Sequence, residues 1–96
     1  MAGEERTREV VVIEDDVEVL DGLATLIGAA GYRCSRRFRT MEDALADLRC
    51  TPADLVLTDL GLPGMSGIDG IRILRAQYPN LPILALTVFE LSLIHI

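Results

Sequence analysis

Lysine is absent from this 96-residue chain: all nine basic residues are arginines, set against fifteen acids for a formal charge of −6. The arginines are scattered apart from a short group at Arg33, Arg36, Arg37 and Arg39. An acidic segment with so little basic surface argues against direct nucleic-acid binding. Cysteine is scarce: Cys34 and Cys50 are too few for a disulfide framework and show no metal-ligand spacing, so reduced thiols are expected. Histidine occurs once, at His95 near the end, and no catalytic or metal role is assigned to it. Long apolar runs are missing too, none approaching the ~18 residues of a membrane span. Residues 1–9 carry both signs of charge, unlike a signal peptide, in which a basic stretch precedes an apolar one. A soluble, cytoplasmic protein without a membrane partner is therefore expected.

What is present suffices for a core. Half the residues are apolar and a quarter are charged, the balance of a globular chain, and the length suits one domain. Val10-Val11-Val12-Ile13 is a β-branched run too short for a helix and apolar on both faces, which predicts a strand covered on both sides. Asp15 or Asp16 then caps a helix to about Ala30, with Val19, Leu20, Leu23, Leu26, Ile27 and Ala30 on one stripe and Gly31 as the stop. Residues 32–36 read as a short polar strand, which belongs at a sheet edge. Thr40 and Asp43 resemble a capping box before a second helix with Met41, Ala44, Leu45 and Leu48 on its apolar face, and Pro52 blocks its continuation.

Leu55-Val56-Leu57-Thr58-Asp59 is a third strand, and Gly61, Pro63, Gly64 and Gly67 mark the loop after it. Ile68, Ile71, Leu74 and Tyr78 place a third helix before Pro79-Asn80, and residues 83–86 form a fourth strand closing with Thr87. Strands alternating with helices predict an α/β domain with a doubly wound parallel sheet. The two early apolar strands belong at the centre and the polar one at an edge, giving the order 2-1-3-4. Right-handed crossovers then set the first helix on one face and the other two on the opposite face.

In such sheets ligands bind beyond the carboxyl ends of the strands where the order reverses. The first strand ends in Glu14-Asp15-Asp16 and the third in Asp59, so the topology gathers at least three carboxylates there. Their mutual repulsion calls for a counterion, and a hard divalent cation such as Mg²⁺ supplies it through oxygen ligands. The triplet alone is equally well read as helix caps and favourable charges at a helix N-terminus. Asp59 has no such duty, because the next helix begins after Ser66. A carboxylate on a metal facing a phosphoryl donor can act as a nucleophile, and the Thr87 hydroxyl could donate to that phosphate.

The residues Val-Val-Val-Ile-Glu-Asp-Asp at 10–16, Asp-Leu-Val-Leu-Thr-Asp-Leu-Gly-Leu-Pro-Gly-Met-Ser-Gly at 54–67 and Leu-Pro-Ile-Leu-Ala-Leu-Thr at 81–87 resemble receiver domains of bacterial two-component response regulators. The loop and the Ala-Leu-Thr ending look closest to regulators with a LuxR-type helix-turn-helix output domain. The resemblance implies a flavodoxin-like (CheY-like) fold. It also implies Asp59 as phosphoacceptor, a sensor histidine kinase as donor, and Mg²⁺ held by Asp15, Glu14 through water, Asp59 and the Gly61 carbonyl. Thr87 matches the switch hydroxyl, and Pro63 and Gly67 match the residues that shape the loop. A signalling module of this kind turns over no external substrate, regulates transcription through its output domain and can act as a homodimer.

The resemblance runs over residues 10–90, after a flexible stretch at 1–9. It lacks the family's fifth strand with its lysine and the last helices, which implies an incomplete receiver. Residues 91–96 do not match the family and read as foreign sequence joined to a fragment, either the start of a fourth helix or disordered; a fifth strand is excluded there because the crossover to a parallel neighbour would need about a dozen residues. The fourth strand is then expected to be an exposed apolar edge and the fold marginal. Two other readings accompany this one: an inert or edge-pairing α/β fragment, and a metal-dependent phosphotransferase or phosphatase, against which Gly61 stands where such enzymes often carry a second aspartate.

Overall fold

A computed structural model describes residues 7–87 and 92–95. Strand β1 (Glu9–Ile13) leads into helix α1 (Val17–Ala29), followed by β2 (Arg33–Phe38), α2 (Met41–Cys50), β3 (Leu55–Asp59), α3 (Gly67–Gln77), β4 (Ile83–Thr87) and β5 (Ser92–His95). The sheet order is β2-β1-β3-β4-β5, and the first four strands are parallel in the expected 2-1-3-4 arrangement. Each helix starts where a short oxygen-bearing side chain satisfies a free N–H. Asp16 accepts from the Glu18 and Val19 amides, Thr40 from Asp43 and Ser66 from Asp69. The first cap is therefore Asp16, which leaves Asp15 free for other work.

The two faces of the sheet carry different loads. Val11, Ile13, Val56, Ile83 and Ala85 pack beneath Met41, Ala44, Leu45 and Leu48 of α2 and Ile71 and Leu74 of α3. Val10, Val12 and Leu57 pack on the other face against Leu20 of α1. The predicted α1 stripe is only partly used. Leu20 is its one buried residue, while Val19 is exposed and Leu26 is 68% exposed. A helix has an apolar stripe by its sequence, but burial of that stripe requires a neighbour to cover it.

Three boundaries differ from the sequence reading. Glu9, assigned there to a flexible stretch, begins β1 and its amide donates to Asp54 Oδ2 at 2.7 Å, whereas residues 1–6 lie outside the described residues. Strand β2 runs on to Phe38, because Arg36 and Arg37 pair with Val11 and Val12 despite their polarity. The largest correction is β5, which pairs with β4 in antiparallel register, Thr87 opposite Ser92 and Leu84 opposite His95. The exclusion of a fifth strand is thus overturned: it considered only a parallel neighbour, whereas an antiparallel partner needs only a short connection. The apolar edge of β4 is accordingly covered.

Arg36 braces the polar edge strand. Arg36 forms ion pairs with Glu9 at 2.8 Å and Asp47 at 2.9 Å, and donates to the carbonyl oxygens of Thr51 and Pro52 at 2.9 and 2.8 Å. It thereby ties β2 to the start of β1 and the end of α2. Arg36→Ala strands two half-buried carboxylates and two carbonyls, and is expected to cost about 2 kcal/mol in urea unfolding. A loss within the scatter of an exposed substitution such as Arg72→Ala would show that the clamp carries no load.

Candidate acidic phosphoacceptor site

The register of β1 against β3 brings the site together. Ile13 lies opposite Thr58, so Glu14 and Asp59, one residue further along each strand, emerge side by side at the carboxyl edge. Glu14, Asp15 and Asp59 each offer a carboxylate oxygen within 4.8 Å of the others. Glu14 and Asp59 are 3% and 4% exposed, while Asp15 stands at the mouth. Asp16 is turned away by its capping bonds. The alternative reading of the triplet as helix caps thus holds for Asp16 alone.

Burial and local hydrogen bonds set the charge state. Desolvation pushes the Glu14 carboxyl above the usual carboxylate range, and the charges of Asp59 and Asp15 push in the same direction, against the Asp16 amide that donates to Glu14 Oε2 at 2.9 Å. A group raised on folding favours the folded state in acid and loses that contribution as pH rises through its folded titration. Metal-free Glu14→Gln is therefore expected to be more stable than wild type at neutral pH, with the gap closing as the pH falls into the acid range where Glu14 is protonated in both states, in paired urea titrations. A gap independent of pH would show that Glu14 is not a burdened carboxylate.

The loop after β3 is held from three directions. The Gly61 amide donates to Asp59 Oδ1 at 3.3 Å, and Leu62 is buried in the core formed with α2 and α3. Glu42, at the start of α2, accepts from the Met65 amide at 3.1 Å and lies against Gly64, whose φ of 72° suits glycine. Gly67 starts α3 so close to β3 that an added Cβ would fall on the Asp59 carbonyl oxygen. Pro63 lies on the exposed turn of this loop. Thr87 closes β4 one residue beyond Leu86, the partner of Asp59, which sets its backbone at the same edge. The sequence reading missed Glu42 and Arg39, whose Nε donates to the Asp15 carbonyl oxygen at 3.3 Å. Both contacts depend on how loops meet, which leaves no periodic signal.

The donor set fits a hard divalent cation. Three carboxylates supply oxygen ligands at close quarters, two of them buried and in need of a counter-charge. A doubly wound sheet with such a pocket at its switch point defines a flavodoxin-like α/β domain. The chain matches the response regulator receiver domain over residues 10–93, and it belongs to that family. The match extends past residue 90 into the segment read as foreign.

Among curated relatives, the two-component response regulator PhoP of Pseudomonas aeruginosa is 40% identical over 79 residues, covering 82% of this chain and 35% of PhoP. The sensory transduction protein RegX3 of Mycolicibacterium smegmatis is 37% identical over 78 residues, covering 81% of this chain and 33% of RegX3. The chain spans about a third or less of the length of the curated relatives it matches. A crystal structure of a LuxR-family two-component response regulator from Aurantimonas sp. superposes with a TM-score of 0.79 at 30% identity, covering 85% of this chain and 59% of that one. The receiver domain of HemR from Leptospira biflexa gives 0.77 at 27% identity, covering 90% and 77%. Among the described residues no helix is long and apolar enough to cross a membrane.

Proposed function

We propose that the chain accepts a phosphoryl group on Asp59 from a sensor histidine kinase, in the presence of Mg²⁺, and that the phosphorylated state regulates a transcriptional output domain in a longer protein. The observation that carries this is the convergence of Glu14, Asp15 and Asp59 from two strands at the switch point of a receiver fold. Asp15 and Asp59 would hold the metal directly, Glu14 through water, and Gly61 by its backbone carbonyl. When bound, the cation neutralises the crowded carboxylates and the incoming phosphoryl oxygens. The Asp59 carboxylate oxygen forms the new O–P bond as the P–N bond of a phosphohistidine breaks; the electron pair passes to the imidazole nitrogen, which takes up a proton.

Thr87 would donate its hydroxyl to the phosphoryl group, and Pro63 and Gly67 would keep the loop in shape around it. No external substrate is turned over. A LuxR-type output is consistent with the likeness to the Aurantimonas regulator. The working compartment is the cytoplasm, and the phosphorylated chain pairs with a second copy of itself. The test is intact mass after incubation with Mg²⁺ and acetyl phosphate: one phosphoryl adduct on wild type and none on Asp59→Asn.

A further inference from the structure

Among the described residues, Arg39 is the arginine that reaches the backbone of the acidic pocket. Phe38 of β2 lies opposite Ile13 of β1, and the Phe38 carbonyl accepts from the Glu14 amide at 2.9 Å. The next residue, Arg39, is thereby delivered to the carboxyl edge, where its Nε donates to the backbone carbonyl of Asp15 at 3.3 Å. Arg36, Arg37 and Arg72 are each committed to a carboxylate, and Arg33 lies opposite Glu9 at the far end of β1. Arg39 enters none of the ion pairs among the described residues, although it is anchored on the backbone of Asp15, one of the three residues whose carboxylates meet at this edge. Its guanidinium has further N–H groups that fit phosphate oxygens.

We propose that Arg39 supplies positive charge to this site: it offsets the acidic pocket before metal arrives and attracts the phosphoryl dianion that reacts at Asp59. The inference rests on the reading of the pocket as a metal-dependent phosphoacceptor. It makes two predictions of opposite sign. A fixed positive charge beside the pocket opposes Mg²⁺ and favours the anionic donor, so removing it helps one and hinders the other. In the reaction with acetyl phosphate the Asp59 oxygen takes the phosphorus and acetate leaves with the electrons of the broken P–O bond.

The experiment measures Mg²⁺ affinity by titration and, at saturating Mg²⁺, the rate of adduct formation with acetyl phosphate, both at low ionic strength on the full chain. Arg39→Ala is expected to bind Mg²⁺ about two- to five-fold more tightly and to be labelled about two- to five-fold more slowly, with both differences shrinking in high salt. Arg39→Lys, which keeps the charge, should restore both toward wild type. Weaker Mg²⁺ binding together with slower labelling would mean that Arg39 only braces the Asp15 loop, and would overturn the proposal, as would no change in either. Mg²⁺ affinity unaltered by Asp15→Asn in the otherwise wild-type chain would instead overturn the reading of the pocket itself, and this inference with it.

Discussion

Gly67→Ala is expected to lower stability by about 3 kcal/mol or more, enough to unfold much of the population of a small domain at modest urea. The added Cβ would meet the Asp59 carbonyl oxygen and the Leu60 Cα, both backbone atoms, so no side chain can swing aside to make room. The start of α3 must lift from β3, breaking the hydrogen bond from the Gly67 amide to the Leu60 carbonyl at 3.1 Å and loosening the backbone that carries Asp59. Gly22→Ala is the matched control, since it lies within α1 with open space around it and alanine favours helix by ~0.5–1 kcal/mol. Urea titrations of the two variants should therefore move in opposite directions. Parallel behaviour would mean that α3 does not rest on β3 as closely as described.

Asp59→Asn is expected to abolish the phosphoryl adduct altogether. The amide is close to the carboxylate in shape but carries no charge, and its oxygen is too weak a nucleophile to displace an imidazole or an acetate. Asp69, exposed in the first turn of α3, provides the comparison: Asp69→Asn should be labelled like wild type, because it is outside the pocket. An adduct that survives Asp59→Asn at the wild-type rate would transfer the chemistry to another acid and remove the central claim. Urea unfolding of Asp59→Asn should remain cooperative, since the pocket loses a buried charge and no packing atoms.

Much of this arrangement could be read in the sequence because two signals coincide. β1 and β3 are apolar on both faces, which marks them as central, and each ends abruptly in acid, which marks the carboxyl edge. From that, the order 2-1-3-4 and the meeting of Glu14, Asp15 and Asp59 follow without coordinates. The end of the chain was less legible. Leu93 and Ile94 are compatible with a strand in either direction, and apolar alternation says nothing about whether a neighbour runs parallel or antiparallel. α1 shows a related limit: Leu26 belongs to a regular stripe, yet its exposure depends on which elements lie across from it. The contacts of Arg39 and Glu42 were equally out of reach, since each follows from a register between segments distant in sequence.

The pairing pattern also orders events in time. β4 and β5 join residues close along the chain, Thr87 opposite Ser92, so that hairpin closes with little entropic penalty. β1 and β3 pair Val10 with Leu55 across a whole helix-strand-helix excursion, the slow kind of contact. The acidic pocket thus forms only when that long-range strand pair closes, and the divalent-ion affinity proposed for it would serve as a gauge of the closure.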